Sequence, residues 1–450
     1  MPLRLLITET EFPVTNPQIG LAGIAVLLTF IGLGMPIAVA LFVVSVGGIF
    51  FIRGWDAAFG SIGSMPFDLS ASWTLSAVPM FFLMGAFAFN SGMTISVYRV
   101  LRMWFWWVPG GLAIATNMAG TAFGVISGSS VAVTAVMAKI AIPEMLQRRY
   151  DKALATAVVA ASGTIDALIP PSIIIIIYGI ETEASISALF LAGIIPGLLT
   201  ALIYSIMIVV RCKINPELAP VGERDFTVAE RREATRDSWP LPVLFAGVFI
   251  GIYSGVMTPT EAGAASAALA FLIAMVRRQM TLLVLWRSLV ESASASASIF
   301  FIFIGAALFA RFMSMSGVPS FLGNVVAEYS PSPLGFVLII SAVIILLGMF
   351  LEGIGILLIV VPIIVPICKQ LNIDLVWIGM LVIKLIMIGL LHPPIGLQAF
   401  VVKSVVGDTV PLMTIFRGLL WFLAAEVVIV ALMIAFPSIT LWLPHQFGYH

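Results

Sequence analysis

Charge is what this chain has least of. Lys, Arg, Asp and Glu make up 10% of its 450 residues, while 61% are hydrophobic and the mean hydropathy is +1.15. Soluble domains carry about 25% charge, and no water-soluble core hides this much apolar surface. No charged residue occurs from Phe12 to Ile52 or from Met103 to Ala138, and about 20 apolar residues suffice to cross a bilayer as a helix. These runs are long and continuous, not short and alternating, which excludes a membrane β-barrel. The 22 cations balance 22 anions, so nucleic acid is excluded as a partner. The two cysteines, Cys212 and Cys368, have no metal-ligand spacing. There are three histidines, His392, His445 and His450. With two of them in the C-terminal tail and no H-E-x-x-H string, the constellation a membrane enzyme needs is missing. No G-x-x-x-x-G-K-[ST] string occurs, which excludes an ATP-driven pump. The first 18 residues offer Arg4 and a short "LLIT", too little for the apolar core of a cleavable signal. Insertion is therefore expected to start at the first true span.

The longest polar interruption lies mid-chain. Arg211 to Asp237 holds six cations and six anions and reads as a cytoplasmic linker between two membrane halves, 1–210 and 238–450. Shifting the second half back by 223 residues brings its punctuation into register with the first. Pro36 then meets Pro259, Pro143 meets Pro366, Asp151 meets Asp374, and Pro170-Pro171 meets Pro393-Pro394. Several matches at one fixed offset mark an internal duplication. Cation placement suggests its sense, because short cytoplasmic loops are enriched in Lys and Arg. Arg99 and Arg102 precede the uncharged stretch of the first half, and Arg148, Arg149 and Lys152 follow it. The equivalent stretch of the second half is flanked by Glu328 and a lone Lys369. Equivalent elements thus enter from opposite sides, an inverted repeat. The expected fold is all-α and polytopic, with roughly five crossings and one re-entrant hairpin per half and both termini outside.

The hairpins are expected at about 103–147 and 329–368. The first turns at "ISGSSVA" (Ile126 to Ala132), the second near "GMFLEGIGI" (Gly348 to Ile356). Serine hydroxyls and freed carbonyls are hard oxygen ligands suited to small cations; alternatively, the small residues only let two helices pack closely. Each hairpin is followed by a double proline in an apolar stretch, "DALIPPSI" from Asp166 and "GLLHPPIG" from Gly389. Two broken helices are therefore expected, at about 153–180 and 373–403. Proline removes a helix hydrogen bond and frees carbonyls. At membrane depth such backbone survives only inside protein or beside a wet cavity. Paired breaks in two repeats mark the substrate and ion site of a secondary transporter. Ordinary proline kinks and a passive channel are the other readings of the same residues.

Residues 123–173, "FGVISGSSVAVTAVMAKIAIPEMLQRRYDKALATAVVAASGTIDALIPPSI", resemble the signature stretch of the large membrane subunit of tripartite ATP-independent periplasmic (TRAP) transporters. "LFLAGIIPGLL" (189–199), "GVMTPTEAGAASA" (255–267) and "PIIVPICKQLNIDLVWIGMLV" (362–382) resemble the same family. The resemblance implies an elevator-type ion-transporter fold in the bacterial or archaeal inner membrane. It also implies sodium-coupled uptake of a small organic anion. The implied partners are a periplasmic binding protein, a small four-helix membrane subunit and the lipid bilayer, and no cofactor is implied beyond sodium as coupling ion. Proton coupling, or a standalone transporter of the same type, is the alternative. By position, the first sodium site would involve Ser127, Gly128, Ser129, Gly163, Asp166, Ile169 and Pro170. The second would involve Gly348, Glu352, Gly353, Gly389, His392 and Ile395. Ser130, Thr164, Pro171 and Pro394 would lie near substrate. Asp166 and His392 depart from the family, which usually has a small residue and a threonine there. They are expected either to pair in a central cavity or to turn away and leave backbone oxygens as ligands. Glu261 in "TPTEAG" would tie a helix end. Lys384 and Lys403 would face the substrate or snorkel to the interface.

Overall fold

The computed structural model describes residues 15–220, 226–329 and 332–449, with side chains for all of these except 126–127 and 326–329. Parts of the expected linker (221–225) and of the second hairpin's start (330–331) lie outside the described residues. Helix is the only regular structure among the described residues. Six helices are long and apolar enough to cross a membrane, and a bent pair, Trp55–Ser70 with Thr74–Asn90, makes a seventh with a 58° break. The protein is a multi-pass, all-α membrane protein.

The 223-residue offset recurs in the elements. Helices Ile37–Arg53, Ser130–Gln147, Lys152–Ser162 and Ile173–Thr182 have counterparts Pro259–Val276, Gly353–Gln370, Leu375–Leu391 and Leu397–Val406. The matched aspartates explain two of these starts. Asp151 Oδ1 accepts from Leu154 N at 2.9 Å, and Asp374 Oδ1 accepts from Trp377 N at 2.8 Å. Each satisfies an amide that a helix N-terminus leaves without an internal partner. Thr258 and Glu261 form a reciprocal capping box, with Glu261 Oε2 accepting from Thr258 N at 2.8 Å. This makes Glu261 a helix-end tie.

Packing is exchanged between the halves. Ile37–Arg53 lies along Leu282–Ser316, and its counterpart Pro259–Val276 lies along Ala77–Asn90. Ser130–Gln147 packs on Leu397–Val406, and Gly353–Gln370 packs on Ile173–Thr182. Each of these contacts is returned by its counterpart. Most helices fall into two groups, each drawing on both halves, which meet where Met93–Phe105 packs on Gly111–Ser127 and Val318–Tyr329 packs on Gly353–Gln370. One contains the spans before residue 105 and those from 240 to 329. The other contains two hairpins, two interrupted helices and the long flanking helices Ile186–Ile214 and Leu412–Ala435.

The first hairpin has arms Gly111–Ser127 and Ser130–Gln147, and it starts later than the sequence reading of 103. Residues 103–105 instead end a separate helix, Met93–Phe105, and a turn follows that closes on Gly110 in the left-handed region (φ 74°). The uncharged run hid that turn, since hydropathy does not distinguish tryptophan in a turn from tryptophan in a span.

Candidate functional site

Both interruptions sit where the double prolines predict. The first helix ends at Ser162, passes through a short 3-10 turn at Ile165–Ala167, and resumes at Ile173. The second ends at Leu391 and resumes at Leu397. Both Pro-Pro bonds are cis. The two breaks differ in setting. Residues 163–172 are buried throughout, whereas His392 and Pro393 are half-buried and Pro394 and Ile395 exposed.

Hairpin tips reach these breaks through close backbone crossings. Gly348 and Gly389 nearly touch, and a Cβ built on Gly348 would lie 2.7 Å from the Gly389 Cα. In the first half the crossing partners are Gly124 and Asp166; a Cβ on Gly124 would come within 2.0 Å of the Asp166 Cβ. At the first tip Gly128 closes the arm in the left-handed region (φ 62°), and a Cβ there would meet Ile173 Cδ1 at 2.6 Å. Ser129 then caps the second arm, accepting from Ala132 N at 3.4 Å. Ser130 Oγ donates to Asp166 Oδ1 at 2.7 Å, which ties the tip to the first break.

A cavity of about 380 Å³ opens between these tips and the other helix group. Of the expected residues, Gly128, Ser129, Ser130, Asp166, Glu352 and Gly353 line it. It also meets the starts of four helices, at Ser130, Ser172 before Ile173, Gly353 and Leu397. Helix N-termini present unpaired amides and a partial positive charge, so each attracts an anion.

The remaining expected residues lie elsewhere. Gly163 packs on Thr134, Ile169 on Gly197, and Thr164 Oγ1 donates to Ala161 O at 2.8 Å. Pro170 and Pro171 are buried outside the cavity lining, and Gly348 and Gly389 serve the crossing. Neither Pro394 nor Ile395 lines the cavity. The His392 Nδ1 lies 2.7 Å from the Pro393 carbonyl oxygen, and His392 is also absent from the lining, so it does not face Asp166 across it. The side chain of Ser127 lies outside the described residues.

Sequence reasoning missed the opposite wall. Glu291, Ser292, Ala295, Ser298 and Ile302, on one face of Leu282–Ser316, line the cavity with Phe82 and Phe89. The signal was "ESASASAS", a lone carboxylate at the head of a small-residue stripe in an apolar span, where an ionisable group points to function by default. Asn90 Nδ2 donates to Glu291 Oε2 at 3.0 Å.

Lys384 does neither of the things expected of it. Lys384 is 2% exposed and pairs with Glu426, 1% exposed, at 2.6 Å from Nζ to Oε2. Its Nζ also donates to Thr200 Oγ1 at 3.0 Å, and the Tyr204 hydroxyl donates to Glu426. The ammonium is too deeply buried to snorkel and too fully paired to hold a substrate carboxylate. Lys403 Nζ donates to the carbonyl oxygens of Gly407, at 2.6 Å, and Val410, at 3.3 Å, capping its own helix end.

Known proteins resemble this chain. Residues 24–439 match the family described as Tripartite ATP-independent periplasmic transporter, DctM component. The C4-dicarboxylate TRAP transporter large permease protein DctM of Pseudomonas aeruginosa is 36% identical over 85% of this chain and 88% of its own length. The sialic acid TRAP transporter large permease protein SiaM of Vibrio cholerae is 34% identical over 84% of this chain and 88% of its own. Among solved structures, the YdaH transporter of Alcanivorax borkumensis has a TM-score of 0.62 over 86% of this chain and 90% of that one. At 14% identity the likeness is one of fold. With nearly its whole length matched, the chain belongs to the DctM component family of tripartite ATP-independent periplasmic transporters.

Proposed function

We propose that this chain is the large transmembrane subunit of a secondary active transporter that couples sodium entry to uptake of a small organic anion. The observation that carries the reading is the convergence of four helix N-termini, from hairpins and broken helices of both repeats, on one cavity. Amide-rich ends attract an anionic group, while carbonyls freed at the breaks and tips offer hard ligands to sodium. Gly128, Ser129 and the 163–170 break would hold one ion, and the Gly348–Gly353 tip with the 389–395 break the other.

The hairpin group would move as a body against the span group, in an elevator cycle, and the cavity at their boundary would carry the substrate across. Opposite cation placement around equivalent stretches supports an inverted repeat. A periplasmic binding protein would deliver substrate, a small four-helix subunit would join the span group, and the bacterial inner membrane would house the complex. Proton coupling is a second reading, favoured by a carboxylate, Asp166, at the cavity wall.

The test is uptake into proteoliposomes holding this chain, its small subunit and its binding protein. Accumulation should require an inward sodium gradient and all three proteins. Equal accumulation driven by a proton gradient in potassium would favour the second reading. Robust uptake by the chain alone would overturn the tripartite one.

A further inference from the structure

The polar segment between the two halves ends in a ten-residue helix, Val228–Asp237. Its three cations and three anions cancel, but they are sorted by face. At about 3.6 residues per turn, Val228, Arg231, Arg232, Thr235 and Arg236 share one side of the helix, and Glu230, Glu233 and Asp237 share the other. Glu230 is taken up in a capping box with Thr227. A buried apolar seam of Met103, Phe226 and Ala234 holds the helix against Met93–Phe105, with Trp106 edge-on to Phe226. Trp104 fixes its rotation. The indole Nε1 donates to Thr235 Oγ1 at 3.3 Å, and the Arg231 guanidinium lies 5.2 Å above the ring.

An open depression between Trp104 and this helix is lined by all three arginines and by one carboxylate, Glu233. Arg232 and Arg236 are exposed, and among the described residues neither guanidinium has an ion-pair or hydrogen-bond partner. Arginine presents a planar fork of donors that matches a phosphate group. Apolar surface borders the same cations, since Val228 is 59% and Trp104 50% exposed. A soluble anion has no use for that surface, whereas a lipid does, and tryptophan is at home at headgroup level. Neighbouring contacts gather the cation-rich loops on this side. Arg277 Nη1 donates to Asp237 O at 3.1 Å, Asp151 N donates to Leu218 O at 2.9 Å, and Arg102 pairs with Glu144 at 2.5 Å. Such enrichment marks a cytoplasmic surface, where the leaflet itself is negatively charged.

We propose that this depression binds the headgroup of an anionic phospholipid. The phosphate sits among Arg231, Arg232 and Arg236, and the acyl chains leave past Trp104 and Val228. Met93–Phe105 is the element that leads from the span group into the first hairpin, so the lipid pins that joint to the cytoplasmic surface.

The test uses the full chain purified in detergent with any co-purifying subunit retained. Phosphatidylglycerol or phosphatidylcholine of identical acyl chains is titrated, with bound lipid counted by native mass spectrometry and melting temperature followed in parallel. The main variant is R232Q/R236Q, which removes two exposed guanidinium groups that tie nothing else together and so should leave folding intact. Annular lipid is common to both proteins, so their difference isolates the site. The unmodified chain should prefer phosphatidylglycerol, and the preference should shrink as salt is raised. R232Q/R236Q should lose about tenfold or more in phosphatidylglycerol affinity with phosphatidylcholine binding unmoved. E233Q/D237N, which alters the acidic side, should not weaken binding. Equal binding of the two lipids, or phosphatidylglycerol binding unchanged in R232Q/R236Q, overturns the proposal. Glycerol 3-phosphate is the soluble arm: if it stabilises the chain as strongly as phosphatidylglycerol and R232Q/R236Q abolishes the effect, the site takes a free phosphate and the lipid assignment is overturned.

Discussion

Replacing Lys384 by methionine should be among the most damaging single changes in the molecule. The substitution removes an ammonium whose Nζ contacts both Glu426 oxygens, at 2.7 and 2.6 Å, and Thr200 Oγ1 at 3.0 Å. Glu426 would be left 1% exposed with the Tyr204 hydroxyl as its remaining named donor. Removing one partner of such a buried pair costs about 3–5 kcal/mol, because a charge stays desolvated with nothing opposite it. That is a large share of the roughly 5–15 kcal/mol that holds an ordinary domain together. Methionine fills most of the aliphatic volume, so the cavity term is small and electrostatics dominates. The single variant should melt on the order of 5 °C lower in detergent, given a few degrees per kcal/mol in mid-sized domains and less in longer chains. Glu426→Gln alone strands the lysine and should cost a similar amount. The double variant, Lys384→Met with Glu426→Gln, removes both charges and should recover most of the loss, since neutral replacements for a buried pair are often harmless. The assay is a double-mutant cycle by thermal unfolding at one fixed scan rate, which keeps irreversible steps comparable. Losses that simply add would refute the claim that unpaired charge sets the cost.

Other consequences are quicker to check. Gly128→Val forces a β-branched residue to φ 62° with its Cβ against Ile173 Cδ1, a strain of at least about 1–2 kcal/mol; sodium-dependent transport should vanish while membrane insertion persists, and unchanged sodium affinity would refute an ion role for the turn. Gly348→Ala pushes the second hairpin off Gly389 and should cost about 1–3 kcal/mol by overpacking, visible as a lower melting temperature, whereas Gly47→Ala, with open space at its Cβ, should leave it unmoved. Asp151→Ala and Asp374→Ala each remove one helix cap and should each cost about 1 kcal/mol; being far apart in sequence and in separate helices, the two losses should add within about 0.5 kcal/mol.

What the sequence displayed was local chemistry. Prolines, capping aspartates and tip glycines act on the few residues around them, so their spacing alone located both breaks, both hairpin tips and the 223-residue repeat. The unread parts depend on residues that meet only in three dimensions. Lys384 and Glu426 are 42 positions apart, and Lys384 and Thr200 are 184 apart. Nothing in a one-dimensional pattern distinguishes such a paired lysine from one that snorkels. Glu291 faces the cavity because Leu282–Ser316 crosses Ala77–Asn90 at that level, and periodicity gives the face of a helix but not its neighbour.

The repeat also shows where the two halves were free to diverge. At the 223-residue offset the counterpart of Asp166 is Gly389, and the counterpart of His392 is Ile169. Features that shape backbone survive in both halves: the caps, the double prolines, the crossing of hairpin tip and break. The side chains at those crossings do not. In the second half glycine meets glycine, and the backbones approach with nothing between them. In the first half the same approach is preserved by Gly124 alone, which leaves its partner position able to carry a side chain, and the Asp166 carboxylate leaves the crossing toward Ser130 and the cavity. One glycine suffices for the crossing, so the second position is available for ligand chemistry. Equivalent scaffolds thus present unlike groups to one cavity.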